Sequence, residues 1–198
     1  MDKALILHGW RWDSKENWFP WLKKELNKKL FDVYIPNLPS THKPVLEEQL
    51  DCINVYSSDF KEDSLIVWHS LWWQLALAFI EENNIKDSLI IMVAPTYDKT
   101  IKEVWKDIAW ESYDYLVDYN ESKIDFQKIN KLNNKFIIFL SDNDPYINME
   151  NAKNYYKKLE NVNFVEFKNK WHFNQSAWIY EIPEILKYLP MDDLTKYY

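Results

Sequence analysis

The chain has 198 residues, of which 47% are hydrophobic; it is long enough for one sizeable core and too apolar for a disordered segment. Its net charge of −7 comes from interspersed acids and bases, so neither a nucleic acid nor an anionic membrane is the expected partner. The lone Cys52 rules out an internal disulfide and suits a reducing compartment. No signal peptide or spanning run is visible, Ala4-Leu5-Ile6-Leu7 being far too short, and a cytoplasmic location is expected.

Along the chain, strand-like and helix-like segments alternate. Residues 3–8 read as a buried strand. Residues 17–29 place Trp18, Trp21, Leu22 and Leu26 at helical spacing, and 32–36 form a second strand stopped by Pro36. A helix follows from Pro44, with Leu46, Leu50 and Ile53 facing inward. Next comes the apolar run Ser64-Leu65-Ile66-Val67, then Trp68-His69-Ser70-Leu71-Trp72-Trp73, then a helical pattern from Gln74 to Ile80. Residues 87–94 and 135–140 read as further strands, 148–160 as a helix, 163–167 as a short strand and 182–189 as a final helix. Continuous apolar strands alternating with amphipathic helices predict an α/β fold of about six mostly parallel strands, covered by helices on both faces. One domain over 1–198 is expected. Residues 96–134, rich in Tyr, Asp, Asn and Trp, predict short helices capping the sheet rather than a long bare loop.

Three chemistry-bearing residues fall at predicted strand ends, in the order nucleophile, acid, histidine. Ser70 lies in a strand–serine–helix layout, Asp144 in Ser141-Asp142-Asn143-Asp144-Pro145, and His172 in Trp171-His172-Phe173. Open α/β sheets build their sites at the carboxyl ends of strands. A serine hydroxyl becomes a nucleophile when an imidazole takes its proton, and a carboxylate fixes the tautomer of that imidazole. The anionic intermediate needs backbone donors, for which Leu71 and the turn His8-Gly9-Trp10 are placed. Each residue also has a plainer reading: Ser70 as a helix N-cap, Asp142 or Asp144 as a turn residue beside Pro145, and His172 as a surface histidine. His69 is expected to pack as a structural neighbour.

Leu5-Ile6-Leu7-His8-Gly9-Trp10, the segment from Glu16 to Leu26, Ser70-Leu71, Ser141 to Pro145 and His172-Phe173 together resemble the small serine hydrolases grouped with YdeN and retinoblastoma-binding protein nine. The resemblance covers nearly the whole chain. It implies a three-layer α/β-hydrolase fold, a triad of Ser70, Asp144 and His172, and an oxyanion hole from the N–H groups of Trp10 and Leu71. It also implies hydrolysis of a small-molecule acyl substrate without metal or cofactor. The retinoblastoma-binding pattern Leu-x-Cys-x-Glu appears only as Leu50-Asp51-Cys52-Ile53-Asn54, without its glutamate, so that partner is not expected.

The departures concern glycine. The chain has 11 tryptophans and one glycine, where average usage of about 7% would give roughly 14 glycines. Tryptophan stands at 68, 72 and 73 around the serine and at 171 before the histidine, where the family pattern has glycine, and Leu30 stands at a typical helix-ending glycine position. Read literally, three indoles in one tight turn predict a displaced Ser70 and a catalytically dead binding or scaffold protein with exposed indoles as its contact surface. The other reading is that the host decodes UGA as glycine, so that Trp12, Trp68, Trp72, Trp73, Trp171 and Trp178 stand for glycines, with Trp105 and Trp110 as further candidates. Trp10, Trp18 and Trp21 sit where the family favours an aromatic.

Overall fold

In the computed structural model, residues 1–97, 100, 111–120 and 124–190 are described. Six strands form one sheet: β1 (Lys3–Leu7), β2 (Asp32–Tyr34), β3 (Leu65–His69), β4 (Leu89–Val93), β5 (Lys135–Ser141) and β6 (Val162–Phe167). Their order is β2-β1-β3-β4-β5-β6, and every pairing is parallel. The central strands β3 and β4 are buried along their whole length, which explains their unbroken apolar runs.

The helices are α1 (Phe19–Lys28), α2 (Leu46–Asn54), α3 (Trp73–Glu82), α4 (Tyr113–Asn120), α5 (Phe126–Lys131) and α6 (Met149–Tyr156). After β1 the chain moves outward to β2, then reverses to β3 and runs on to β6. With right-handed crossovers, that reversal puts α1 on one face and α2, α3 and α6 on the other. It also opens a crevice at the carboxyl ends of β1 and β3, the switch point where such sheets bind ligands. No helix among the described residues is long and apolar enough to cross a membrane.

The expected elements are present, with two differences. The terminal helix is a 3-10 helix, Pro183–Tyr188, whose Ile185 is buried one three-residue turn after the buried N-cap residue Ile182. Helix α6 ends at Tyr156 rather than at 160. Within 96–134 the described residues include α4 and α5, the latter N-capped by Asp125, whose carboxylate accepts from the N–H groups of Gln127 and Lys128. Trp105 and Trp110 lie outside the described residues.

With one glycine in the chain, other residues take the left-handed backbone. Asn17, Asp63, Asn84, Asp87, Asn133, Asn161 and Asn169 all have positive φ, and Asn and Asp adopt that region more readily than any residue except glycine. Asn84 closes α3: its N–H bonds the Glu81 carbonyl at 3.3 Å and that of Ile85 bonds Ile80 at 3.1 Å, a Schellman ending. Leu30 closes α1 in the same way, at φ 64, through Leu30 N–H to Asn27 and Phe31 N–H to Leu26, both 3.1 Å. Trp171 and Trp178 also adopt this conformation, at φ 47 and 58.

Leu30 and Trp178 are 71% and 84% exposed, so glycine there removes backbone strain and forfeits little packing. Leu30→Gly and Trp178→Gly are each expected to raise stability by about 1 kcal/mol, read as a shift in the urea midpoint. A loss at either position would contradict this reading of the backbone.

Candidate active site

Ser70 follows the last residue of β3 and opens a 3-10 turn, Ser70–Trp72, that runs into α3. Its φ of 60 is the strained conformation that lifts a serine out of a strand–helix turn. The Ser70 carbonyl accepts from Thr96 N–H at 3.2 Å, tying the turn to the chain beyond β4.

The expected displacement of Ser70 does not occur. His172 Nε2 lies 2.9 Å from Ser70 Oγ, and His172 Nδ1 lies 2.8 Å from Asp144 Oδ2. The indoles leave the turn instead of filling it. Trp72 packs against Tyr119 of α4 with ring centres 5.2 Å apart, and Trp73 meets Tyr155 of α6 at 5.5 Å. Trp68, Trp72 and Trp73 are buried, so these three do not form the exposed contact surface expected of a scaffold. Their burial has a cost, because Trp68 Nε1 and Trp72 Nε1 find no hydrogen-bond partner, a loss of about 1–3 kcal/mol each.

The two ends of the relay are held separately. Asp144 Oδ1 accepts from the N–H groups of Tyr146 and Ile147, at 2.9 and 3.1 Å, leaving Oδ2 for the imidazole. A carboxylate can only accept from a neutral imidazole, so Nδ1 carries the proton and Nε2 is open to the serine hydroxyl. Asp142 takes the turn role: its carboxylate accepts from Asn169 N–H at 2.9 Å. Asn143 Oδ1 accepts from Trp171 N–H at 2.8 Å, fixing the peptide just before His172.

Two buried histidines act behind the site. His69 Nε2–H donates to the His172 carbonyl at 2.9 Å, so the residue before Ser70 anchors the backbone of His172. His8 Nδ1–H donates to the Gly9 carbonyl at 3.1 Å, while His8 Nε2 accepts from Leu38 N–H at 3.1 Å. Trp12 N–H donates to that same Gly9 carbonyl at 3.2 Å. In a trans peptide the C=O and N–H point opposite ways, so pinning the Gly9 carbonyl sets the direction of the Trp10 N–H. Sequence reasoning missed this role, since one partner of His8, Leu38, lies on the loop after β2.

Burial holds His8 below the ordinary histidine value of 6.5, and burial together with the nearby His172 holds His69 well below it. Both are neutral in the fold and take up protons on unfolding. Stability is therefore full above about pH 6.5 and is lost as pH falls toward their lowered values, by about 1.4 kcal/mol per pH unit for each histidine. Urea midpoints at about pH 7.5 and about pH 5.5 check this; equal midpoints would contradict it.

Ser70 and His172 open onto a cavity of about 200 Å³, also lined by Trp10, Arg11, Trp12, Tyr146, Asn174 and Ser176. Tyr146 stands edge-on to the His172 ring at 5.0 Å and Trp12 stacks on His69 at 4.7 Å. Trp10 thus shares a cavity with Ser70, and Leu71 follows Ser70 directly in the turn. A family model described as serine hydrolase matches residues 4–191. The chain belongs to the serine hydrolase family. YdeN of Bacillus subtilis strain 168 is 26% identical over 198 residues, covering 99% of this chain and 96% of that protein. The crystal structure of the ydeN gene product matches with a TM-score of 0.79 at 24% identity, covering 94% of this chain and 96% of that one. Est1E from Butyrivibrio proteoclasticus, solved with ferulic acid bound, matches with a TM-score of 0.67 at 16% identity, over 88% of this chain and 82% of its own. These structural likenesses share the three-layer α/β-hydrolase fold with this serine hydrolase.

Proposed function

We propose that this serine hydrolase cleaves a small ester, thioester or amide through a covalent acyl intermediate on Ser70. The observation that carries the reading is the hydrogen-bonded run Ser70–His172–Asp144 beside a cavity at the sheet's switch point. Ser70 Oγ attacks the acyl carbon as His172 Nε2 takes its proton. The tetrahedral oxyanion is met by the N–H groups of Leu71 and Trp10, the second aimed by His8. His172 then gives the proton to the leaving group, whose bond to the acyl carbon breaks. Water, deprotonated by the same Nε2, then attacks the acyl carbon, the bond from that carbon to Ser70 Oγ breaks, and the imidazolium returns its proton to Oγ as the acid leaves. Asp144 holds the imidazole and stabilises its cation throughout. With p-nitrophenyl acetate a burst of nitrophenol equal to the protein present is expected, followed by slower turnover. Nitrophenol release that is unchanged in Ser70→Ala would overturn the reading.

The second part of the proposal is that the native host places glycine at 12, 68, 72, 73, 171 and 178. Positive φ at 171 and 178 and unpartnered buried indole N–H groups at 68 and 72 support it. Peptide mass spectrometry of protein from the native host decides the matter: glycine at 68, 72 and 73 is expected, and tryptophan there refutes it.

A further inference from the structure

Arg11 lies between two cavities. One wall belongs to the Ser70–His172 cavity. The other belongs to a larger neighbour of about 530 Å³ lined by Ser40, Thr41, His42, Lys43, Glu111 and Ser112. Arg11 is held at φ 64 immediately after the Gly9–Trp10 turn, with its guanidinium over the Trp10 ring at 4.5 Å. The same indole donates from Nε1 to the His42 carbonyl at 3.4 Å, fastening the loop after β1 to the loop that carries His42 and Lys43. Lys43 Nζ sits over Tyr115 at 5.3 Å.

The charges here run against the composition. The chain carries a net −7, yet Arg11 and Lys43 meet at one cavity and neither forms an ion pair with a described carboxylate, Glu111 included. Both are exposed and so reachable from solvent. An arginine seated on an aromatic ring keeps its edge N–H groups available, in the planar fork that matches a carboxylate or phosphate. The hydroxyls of Thr41 and Ser112 add donors beside it, while Ser40 Oγ donates to Glu48 Oε2 at 2.6 Å.

We propose that this second cavity is the subsite for an anionic group at the end of the substrate remote from the scissile carbonyl, Arg11 gripping it in a fork and Lys43 adding a point charge. The preferred substrates are then small acyl compounds bearing a carboxylate or phosphate rather than wholly neutral esters. The inference rests on hydrolysis at Ser70 and adds the substrate class to it.

The test compares kcat/KM for p-nitrophenyl acetate, for the mono-p-nitrophenyl ester of glutaric acid, which carries the anion on the acyl side, and for 4-acetoxybenzoate and 4-acetoxyphenyl phosphate, which carry it on the leaving side. At low salt at least one anionic ester is expected to exceed its neutral counterpart, phenyl acetate serving for the last two, by about 10- to 100-fold. That ratio should collapse in Arg11→Gln and shrink in Lys43→Gln, and it should fall as ionic strength rises. The favoured arm identifies the side and the anion. Ser70-dependent turnover with no anionic preference, or a preference untouched by Arg11→Gln, overturns the subsite and leaves the hydrolase reading standing. If no ester is turned over, calorimetric titration of Ser70→Ala with glutarate and with inorganic phosphate decides: saturable binding abolished by Arg11→Gln supports the subsite, and no binding of either overturns it.

Discussion

Ser70→Ala, His172→Ala and the double variant are expected to lose kcat by the same factor, about 10⁶-fold. The reason lies in the geometry. Ser70 Oγ and His172 Nε2 share one hydrogen bond of 2.9 Å, and a nucleophile without its base does no more than a base without its nucleophile. Independent contributions would instead multiply in the double variant. Asp144→Asn belongs to the same series. An amide NH₂ facing Nδ1 would favour the wrong imidazole tautomer, and a fall of about 10⁴-fold in kcat is expected with the fold retained. Steady-state kinetics on p-nitrophenyl acetate reads all four variants. A double variant much slower than either single one would show that the two residues are not one device.

The second large effect concerns the tryptophans. Truncating a large aromatic in a core built around it costs about 3–5 kcal/mol, so glycine at 68, 72 and 73 together would remove about 9–15 kcal/mol. Total stability is about 5–15 kcal/mol, and a chain that had evolved with those indoles would not survive the change. The proposal that glycine is native predicts the reverse. Two buried indole N–H groups without partners, at 68 and 72, and two left-handed tryptophans, at 171 and 178, each carry an unfavourable term of about 1–3 kcal/mol that glycine removes. The protein with glycine at all six positions is therefore expected to unfold at a higher urea concentration than the tryptophan form. A glycine form that is unfolded at zero denaturant would refute the decoding proposal outright.

What the sequence disclosed follows from which interactions are local. Apolar runs and helical spacing marked every strand of the sheet because burial is written residue by residue. Ser70, Asp144 and His172 could be singled out as candidates because strand ends collect chemistry in parallel sheets, and the fold brings the three into one hydrogen-bonded run. The choice of Asp144 over Asp142 could not be settled from spacing alone; it depends on a turn in which one carboxylate meets the imidazole and the other meets Asn169 N–H. His8 was invisible as a positioning group because Leu38, its second partner, is thirty positions away along the chain. The sequence also misled at the elbow. Counting side-chain volume predicted a clash, whereas the indoles turn away toward Tyr119 and Tyr155 and the strain falls on Ser70. The shortage of glycine is met in part by Asn and Asp, which take seven of the fifteen described positions with positive φ, and Trp171 and Trp178 are among the rest.

Incubation of the purified chain with a fluorophosphonate, followed by peptide mapping, tests the central claim most directly. One phosphonyl adduct is predicted, on the peptide carrying Ser70, and it should be absent from Ser70→Ala. A folded chain that takes up no label, or an adduct that maps to another residue and persists in Ser70→Ala, would contradict it.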